Sequence, residues 1–356
     1  MNREFASTGA SNPEYVTARV RARRAKLLDE EDYRKLVRMG PSGIARYLEE
    51  TEYEAEIDEL GTRHSGVDLV EYALNRNLAK HFGDILSWAD GRLHDRLARY
   101  LRKYDVWNIK TVLRGLYSGA ERETVESDLI RAGELGHRQL EHLLNAETIA
   151  DAVEGLAGTM YYEPLVEALP EYEDHNSLIP LENALDRAFY TELLGSVSLG
   201  AATYGSARQY LAFLRAEIDF LNIRNALRLA RSGADMDPTA YFVEGGRLFT
   251  ADRLRQLVGN TDELITYIRD SRYGDDLTAA LDALEEAESL IQFEHALDAA
   301  LLEYSDRLAS SDPMSVAAVM SYVLAKEREV ENIRAIARGR EVGLEESEIQ
   351  EELVIT

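Results

Sequence analysis

One segment of the chain occurs three times, and no other feature so limits the folds open to it. It reads DVWNIKTVLRGLYSG at 105–119, DFLNIRNALRLARSG at 219–233 and EVENIRAIARGREVG at 329–343. Counted from the asparagine (Asn108, Asn222, Asn332), each copy carries an acid at −3 (Asp105, Asp219, Glu329) and isoleucine at +1 (Ile109, Ile223, Ile333). A base follows at +2 (Lys110, Arg224, Arg334), a second base at +6 (Arg114, Arg228, Arg338) and glycine at +11 (Gly119, Gly233, Gly343). Two further signatures keep this register. An E-x-A-L sequence precedes each copy, at 71–74, 182–185 and 294–297, and further upstream Thr or Ser stands two residues before Tyr (Thr51/Tyr53, Thr159/Tyr161, Ser271/Tyr273). The chain therefore reads as three copies of one structural unit.

Helical spacing of apolar residues runs through almost the whole chain, and strand alternation never extends beyond a few residues. The spacing predicts helices over 15–27, 30–38, 43–50, 67–88, 92–118, 122–131, 137–144, 147–155, 178–195, 206–232, 251–258, 261–269, 276–309 and 313–340, with a short one near 345–353. Breaks fall at Asp90-Gly91, at the Gly-rich 195–205 and at 310–313, where Pro313 can open the first turn of the next helix. The expected fold is all-α, with three repeated helical domains at 15–120, 121–235 and 236–356 after a flexible N-terminal stretch at 1–14. Each domain buries its stripes helix against helix. Periodicity alone leaves open whether the copies lie in a row or close round a pseudo-threefold axis.

On a helix turning about 100° per residue, the +1, +4 and +5 residues of each copy form one apolar face. The −3 acid falls inside that face and the two bases fall on the other side. A carboxylate and an amide in such a place need partners, either backbone N–H groups of the preceding loops or an arginine of the same unit. The expectation is that Asp105, Asn108, Lys110, Arg114 and their equivalents Asp219, Asn222, Arg224, Arg228, Glu329, Asn332, Arg334 and Arg338 anchor the repeat. The +11 glycine suits a helix C-cap with positive φ. A ligand site kept in three copies is the competing reading, and recurrence argues against it.

Charge bounds the partners. Asp and Glu number 65 against 40 Lys and Arg, a net charge of −25, which repels nucleic acid unless basic residues are segregated. Only six bases are lysine (Lys26, Lys35, Lys80, Lys103, Lys110, Lys326). An acidic, lysine-poor surface suits a high-salt cytosol, where like charges are screened; an acidic, arginine-preferring proteome would give the same composition. The basic exception is RVRARRAK at 19–26, which either faces anionic headgroups or an acidic partner, or pairs within the chain. With no cysteine, disulfides, thiolate metal sites and cysteine nucleophiles are excluded. His64, His81, His94, His137, His142, His175 and His295 form no H-E-x-x-H, and no G-x-x-x-x-G-K-[ST] loop is present, so no metal, cofactor or nucleotide site is expected. Acidic pairs such as Asp275/Asp276 and Glu285/Glu286 read as solvated faces rather than a hydrolase site. The N-terminal sequence lacks the apolar core of a secretory signal, and no stretch is apolar enough to span a bilayer, so an intracellular location is expected.

The opening at 15–22 (YVTARVRA), Leu27-Leu28 before Asp32-Tyr33, and above all 105–115 (DVWNIKTVLRG) resemble the C subunit of the archaeal A-type ATP synthase, the homologue of the d subunit of the vacuolar ATPase. The resemblance covers the chain from about residue 14. It implies three similar helical domains around a pseudo-threefold axis, forming a funnel, and no catalytic residue. It further implies a peripheral protein on the cytoplasmic face of the cell membrane, a central-stalk socket that seats the rotary shaft of the D and F subunits on the membrane ring of proteolipid K subunits and couples torque to proton flow. The alternatives are a helical-repeat scaffold or adaptor for another soluble complex, and an enzyme using acidic pairs in a helical fold.

Overall fold

The computed structural model describes residues 11–197, 206–232, 237–286 and 290–354. Among these, nineteen α-helices follow one another: α1 (Pro13–Arg24), α2 (Glu30–Leu36), α3 (Pro41–Leu48), α4 (Glu54–Leu60), α5 (Gly66–Trp88), α6 (Gly91–Leu101), α7 (Lys103–Ser118), α8 (Arg122–Ser127), α9 (His137–Leu144), α10 (Ile149–Glu154), α11 (Tyr162–His175), α12 (Ile179–Gly195), α13 (Ser206–Ser232), α14 (Ala251–Val258), α15 (Thr261–Arg269), α16 (Gly274–Glu286), α17 (Ile291–Ser311), α18 (Val316–Glu341) and α19 (Glu346–Glu351). A 3₁₀ turn at Pro238–Tyr241 precedes α14, and no strand occurs among the described residues. The protein is all-helical. Its described residues form two compact units, one drawn from Met1–Phe189 with Tyr322–Gln350 and the other from Tyr190–Ser321 with Glu351–Thr356.

Local chemistry sets many of the helix ends. Asp29 and Asp32 exchange hydrogen bonds with each other's backbone in a capping box at α2, and Thr148 and Asp151 do the same at α10. Thr250 and Asn260 cap α14 and α15. Gly119, at φ 69°, closes α7 in the left-handed conformation, and Gly343 after α18 has φ 79°. The third glycine of that register, Gly233, lies outside the described residues, as do residues 1–10 of the N-terminal stretch and most of the Gly-rich break, 198–205. Pro13 and Glu14, expected in the N-terminal stretch, already belong to α1.

Four expectations need correction. The single helix expected over 92–118 is two, because the Asp105 N–H bonds the carbonyl three residues back, Arg102, and tightens the chain there. The single helix expected over 276–309 is likewise two, α16 and α17. No helix is expected where α4 and α11 occur. Helix α4, EAEIDEL, is too acidic to show an apolar period, yet it buries Ile57 and also Glu56, whose carboxylate accepts from Asn77 Nδ2 and Lys80 Nζ. Helix α11 carries Pro170 in its interior, which costs a backbone hydrogen bond. Burial of Leu165 and Ala168 offsets that loss, so packing overrides propensity.

Candidate functional site

The repeated polar residues sit where α7, α13 and α18 meet loops far away in sequence. All six acids and asparagines of the register are buried, none more than 3% exposed. Asp105 accepts from the backbone N–H groups of Glu134 (3.0 Å) and Leu135 (2.9 Å) and from the Tyr161 hydroxyl (3.5 Å). Asp219 accepts from the N–H groups of Arg247 (2.7 Å) and Leu248 (2.8 Å) and from the Tyr273 hydroxyl (2.7 Å). Glu329 accepts from the Leu28 N–H (2.6 Å), the Tyr53 hydroxyl (2.7 Å) and Lys326 Nζ (2.7 Å). The tyrosines are those of the upstream Thr/Ser-x-Tyr signature, each from the copy after the acid, with the third copy's acid returning to the first copy's Tyr53. Apart from Lys326, on the same helix as Glu329, the partners are thus not the preceding loops or an arginine of the same unit, but residues of another copy.

Two of the three asparagines bind the same loops. Asn108 donates to the Ile130 carbonyl and accepts from the Ile130 N–H, both at 2.8 Å. Asn222 holds Val243 in the same two-sided way, at 2.8 and 3.0 Å. Asn332 bonds the Tyr33 side chain. Each two-sided amide satisfies a backbone donor and acceptor that no helix or sheet serves.

On the opposite helix face the bases meet the E-x-A-L sequences. Arg114 forms a bidentate pair with Glu182 (2.7 and 3.0 Å), and Arg228 does so with Glu294 (2.6 and 2.5 Å). Arg338 pairs with Glu71 and reaches Asp128 at 3.1 Å. The +2 bases bond the residue one turn beyond each of those glutamates: Lys110 to Asp186 (2.6 Å), Arg224 to Asp298 (2.5 Å) and Arg334 to Asn75 (2.6 Å). Both signatures were legible in the sequence; that one binds the other across copies was not, because spacing along a chain carries no information on which surfaces meet.

Burial governs the titration of these groups. Desolvation raises the Asp105 carboxyl to about 6 against the pull of its two backbone donors, and raises Asp219 for the same reason. Burial holds the Lys326 ammonium below its ordinary value although Glu329 opposes the shift. His81, packed in the same unit with Nδ1 at 2.6 Å from the Tyr322 hydroxyl, is driven down to about 2, by burial first and the nearby Lys326 charge second.

The basic stretch largely meets its own chain. Arg23 pairs with Asp84 at 2.5 Å and lies over the Trp88 ring, Lys26 pairs with Glu52 at 2.6 Å, and Arg19 sits over Tyr15 and Trp88. Arg21 is exposed. Among the described residues no group of three or more His, Asp or Glu could hold a metal ion, and no helix is long and apolar enough to cross a membrane.

The family model described as ATP synthase (C/AC39) subunit matches residues 16–352. The chain belongs to that family. The C subunit of an A-type ATP synthase from Haloferax volcanii is 63% identical over 351 residues, covering 99% of this chain and 100% of the relative. Those from Halobacterium salinarum and Methanococcoides burtonii are 55% and 36% identical, each over 351 residues, covering 99% and 98% of this chain and 100% and 96% of the relatives. This member of the ATP synthase (C/AC39) subunit family carries the threefold set of buried acids and asparagines described above.

Proposed function

We propose that this chain is the non-catalytic central-stalk subunit of an A-type ATP synthase, seating a rotary D–F shaft on a proteolipid K ring at the cytoplasmic face of the membrane during proton-driven ATP synthesis. The observation that carries the reading is identity across the full length to relatives named as the C subunit of A-type ATP synthases. The polar junctions support it. A torque-bearing adaptor has to resist twisting between its parts, and each junction combines a buried carboxylate, a buried tyrosine hydroxyl and a base–carboxylate or base–amide bond, so sliding one helix past its loop breaks several bonds at once. We further propose that the three copies, with boundaries near 120 and 235, are related by a pseudo-threefold axis and form a funnel, and that the twelve repeated residues are its anchors. The pairing order favours a closed arrangement over a row, since copy one bonds copy two, two bonds three, and three bonds one.

The test is co-purification in mild detergent at molar salt. The tagged chain is expected to retain the D and F subunits and the K ring, and to hydrolyse no ATP alone. Retention of neither shaft nor ring, while the rest of the complex assembles, would contradict the reading and favour a scaffold for another complex.

A further inference from the structure

The second compact unit contains a cleft of about 590 Å³ whose polar rim is built almost wholly from arginine. Arg208 and Arg215 come from one face of α13, two turns apart, Arg247 from the loop before α14, and Arg272 from the loop before α16. Tyr304 of α17 completes the rim, and Leu211 and Leu308 give it apolar wall. Among the described residues no carboxylate lines the cleft and none of the four guanidiniums makes an ion pair. In the repeat register, by contrast, Arg114, Arg224, Arg228 and Arg338 all have carboxylate partners. The carboxylate that acts on Arg215 and Arg272 is Asp219, whose oxygens are already taken by two backbone N–H groups and the Tyr273 hydroxyl. Burial and the neighbouring Arg247 charge hold the Arg215 guanidinium below its ordinary value, so the cations crowd one another.

The cluster is also absent from the other two copies. In the repeat register Arg215 is replaced by Leu101 and Ala325, and Arg272 by Met160 and Glu52. A feature required by the repeated fold would occur three times. From this we propose that the cleft is a binding site for a phosphate ester, a small organic anion bearing one or more phosphoryl groups. Planar guanidinium forks match phosphoryl oxygens two at a time, and a terminal phosphoryl group concentrates about two negative charges in one place while a diester brings one, held on two equivalent oxygens that suit a guanidinium fork. The volume lies in the range of small-molecule sites, roughly 300–1,000 Å³, and exceeds what bare phosphate needs. Gln209 Oε1, on the cleft wall, is buried without a hydrogen-bond donor, and a sugar or glycerol hydroxyl of such an ester would supply one. The phosphoryl group can come from a soluble nucleotide or from a phospholipid headgroup.

The experiment uses the purified full-length chain in molar potassium chloride. One arm measures ATP binding by equilibrium dialysis, and the other measures co-sedimentation with phosphatidylglycerol vesicles against phosphatidylcholine vesicles. Binding in either arm, weakened at least about tenfold in the Arg247→Gln/Arg272→Gln double variant and unchanged in Arg253→Gln, supports the site and identifies the source of the phosphoryl group. Arg247 and Arg272 are both exposed, and the Arg247 backbone N–H that serves Asp219 is untouched by the substitution; Arg208→Gln, also exposed, replaces the double variant should its circular dichroism show misfolding. No binding in either arm, or binding indifferent to the arginines, would overturn the proposal.

Discussion

Asp105 and Asp219 each accept two backbone N–H groups that have no other acceptor among the described residues, so their removal leaves those donors unsatisfied. Asp105→Ala and Asp219→Ala are expected to cost about 1–3 kcal/mol each, read from chemical denaturation, and no change in either midpoint would contradict the account. Acid titration separates two buried groups with opposite signs. Folded His81 titrates at about 2, against 6.5 for the unperturbed ring, so below pH 6.5 the unfolded chain takes up a proton that the folded one refuses, and stability is lost as pH falls. Asp105 is raised from 3.8 to about 6, so its contribution is present at low pH and is lost as pH rises through 6. Between pH 6 and about 4 the two oppose each other. His81→Gln removes the first and leaves the second, and the slope of stability against pH in that window should shift by about 1.4 kcal/mol per pH unit toward greater stability in acid. Parallel slopes for wild type and variant would show that His81 protonates freely in the folded protein.

At the scale of elements, the junction loops approach the helices so closely that two positions accept only glycine. A Cβ at Gly133 would stand 2.0 Å from Asp105 Oδ1, and one at Gly246 would stand 2.2 Å from Asp219 Oδ1. Gly133→Ala and Gly246→Ala are expected to destabilise by about 1–3 kcal/mol through forced displacement of the carboxylate. Gly136→Ala, whose Cβ would meet only Gln139 Oε1 at 4.0 Å, should stay within about 0.5 kcal/mol. Denaturation midpoints of the three variants test this ordering. These glycines carry no signal in the sequence, because the need for them is created by a carboxylate well back in the chain. Helices α5, α13, α14 and α15 were legible almost to the residue, since each has a clear apolar period or strong stop residues. The turn at Arg102 was not, because every residue around it is compatible with helix and only a shifted hydrogen bond marks the break. Helix α11 was hidden by Pro164 and Pro170, and α4 by its acids. The acid–asparagine–base register was fully legible; its partners were half legible, as recurring Thr/Ser-x-Tyr and E-x-A-L sequences with no indication of which copy they serve.

For the whole molecule, charge and family membership make separate predictions. At net −25, carboxylate repulsion is screened over about 3 Å at 1 M salt but only over about 10 Å at 0.1 M, so stepwise dilution from molar potassium chloride should lower the melting temperature seen by circular dichroism. An equal melting temperature at both ends would remove the salt-adaptation reading and leave the adaptor reading intact. The proposed adaptor role is one of coupling rather than chemistry. It is tested most directly by assaying ATP hydrolysis and ATP-driven ion pumping side by side in membrane vesicles with and without this chain. Removal of the chain is expected to abolish pumping and release the ATP-hydrolysing head from the membrane while hydrolysis by the head persists, and restoring the chain is expected to restore both attachment and pumping. Undiminished pumping without the chain, or loss of hydrolysis together with it, would contradict the account.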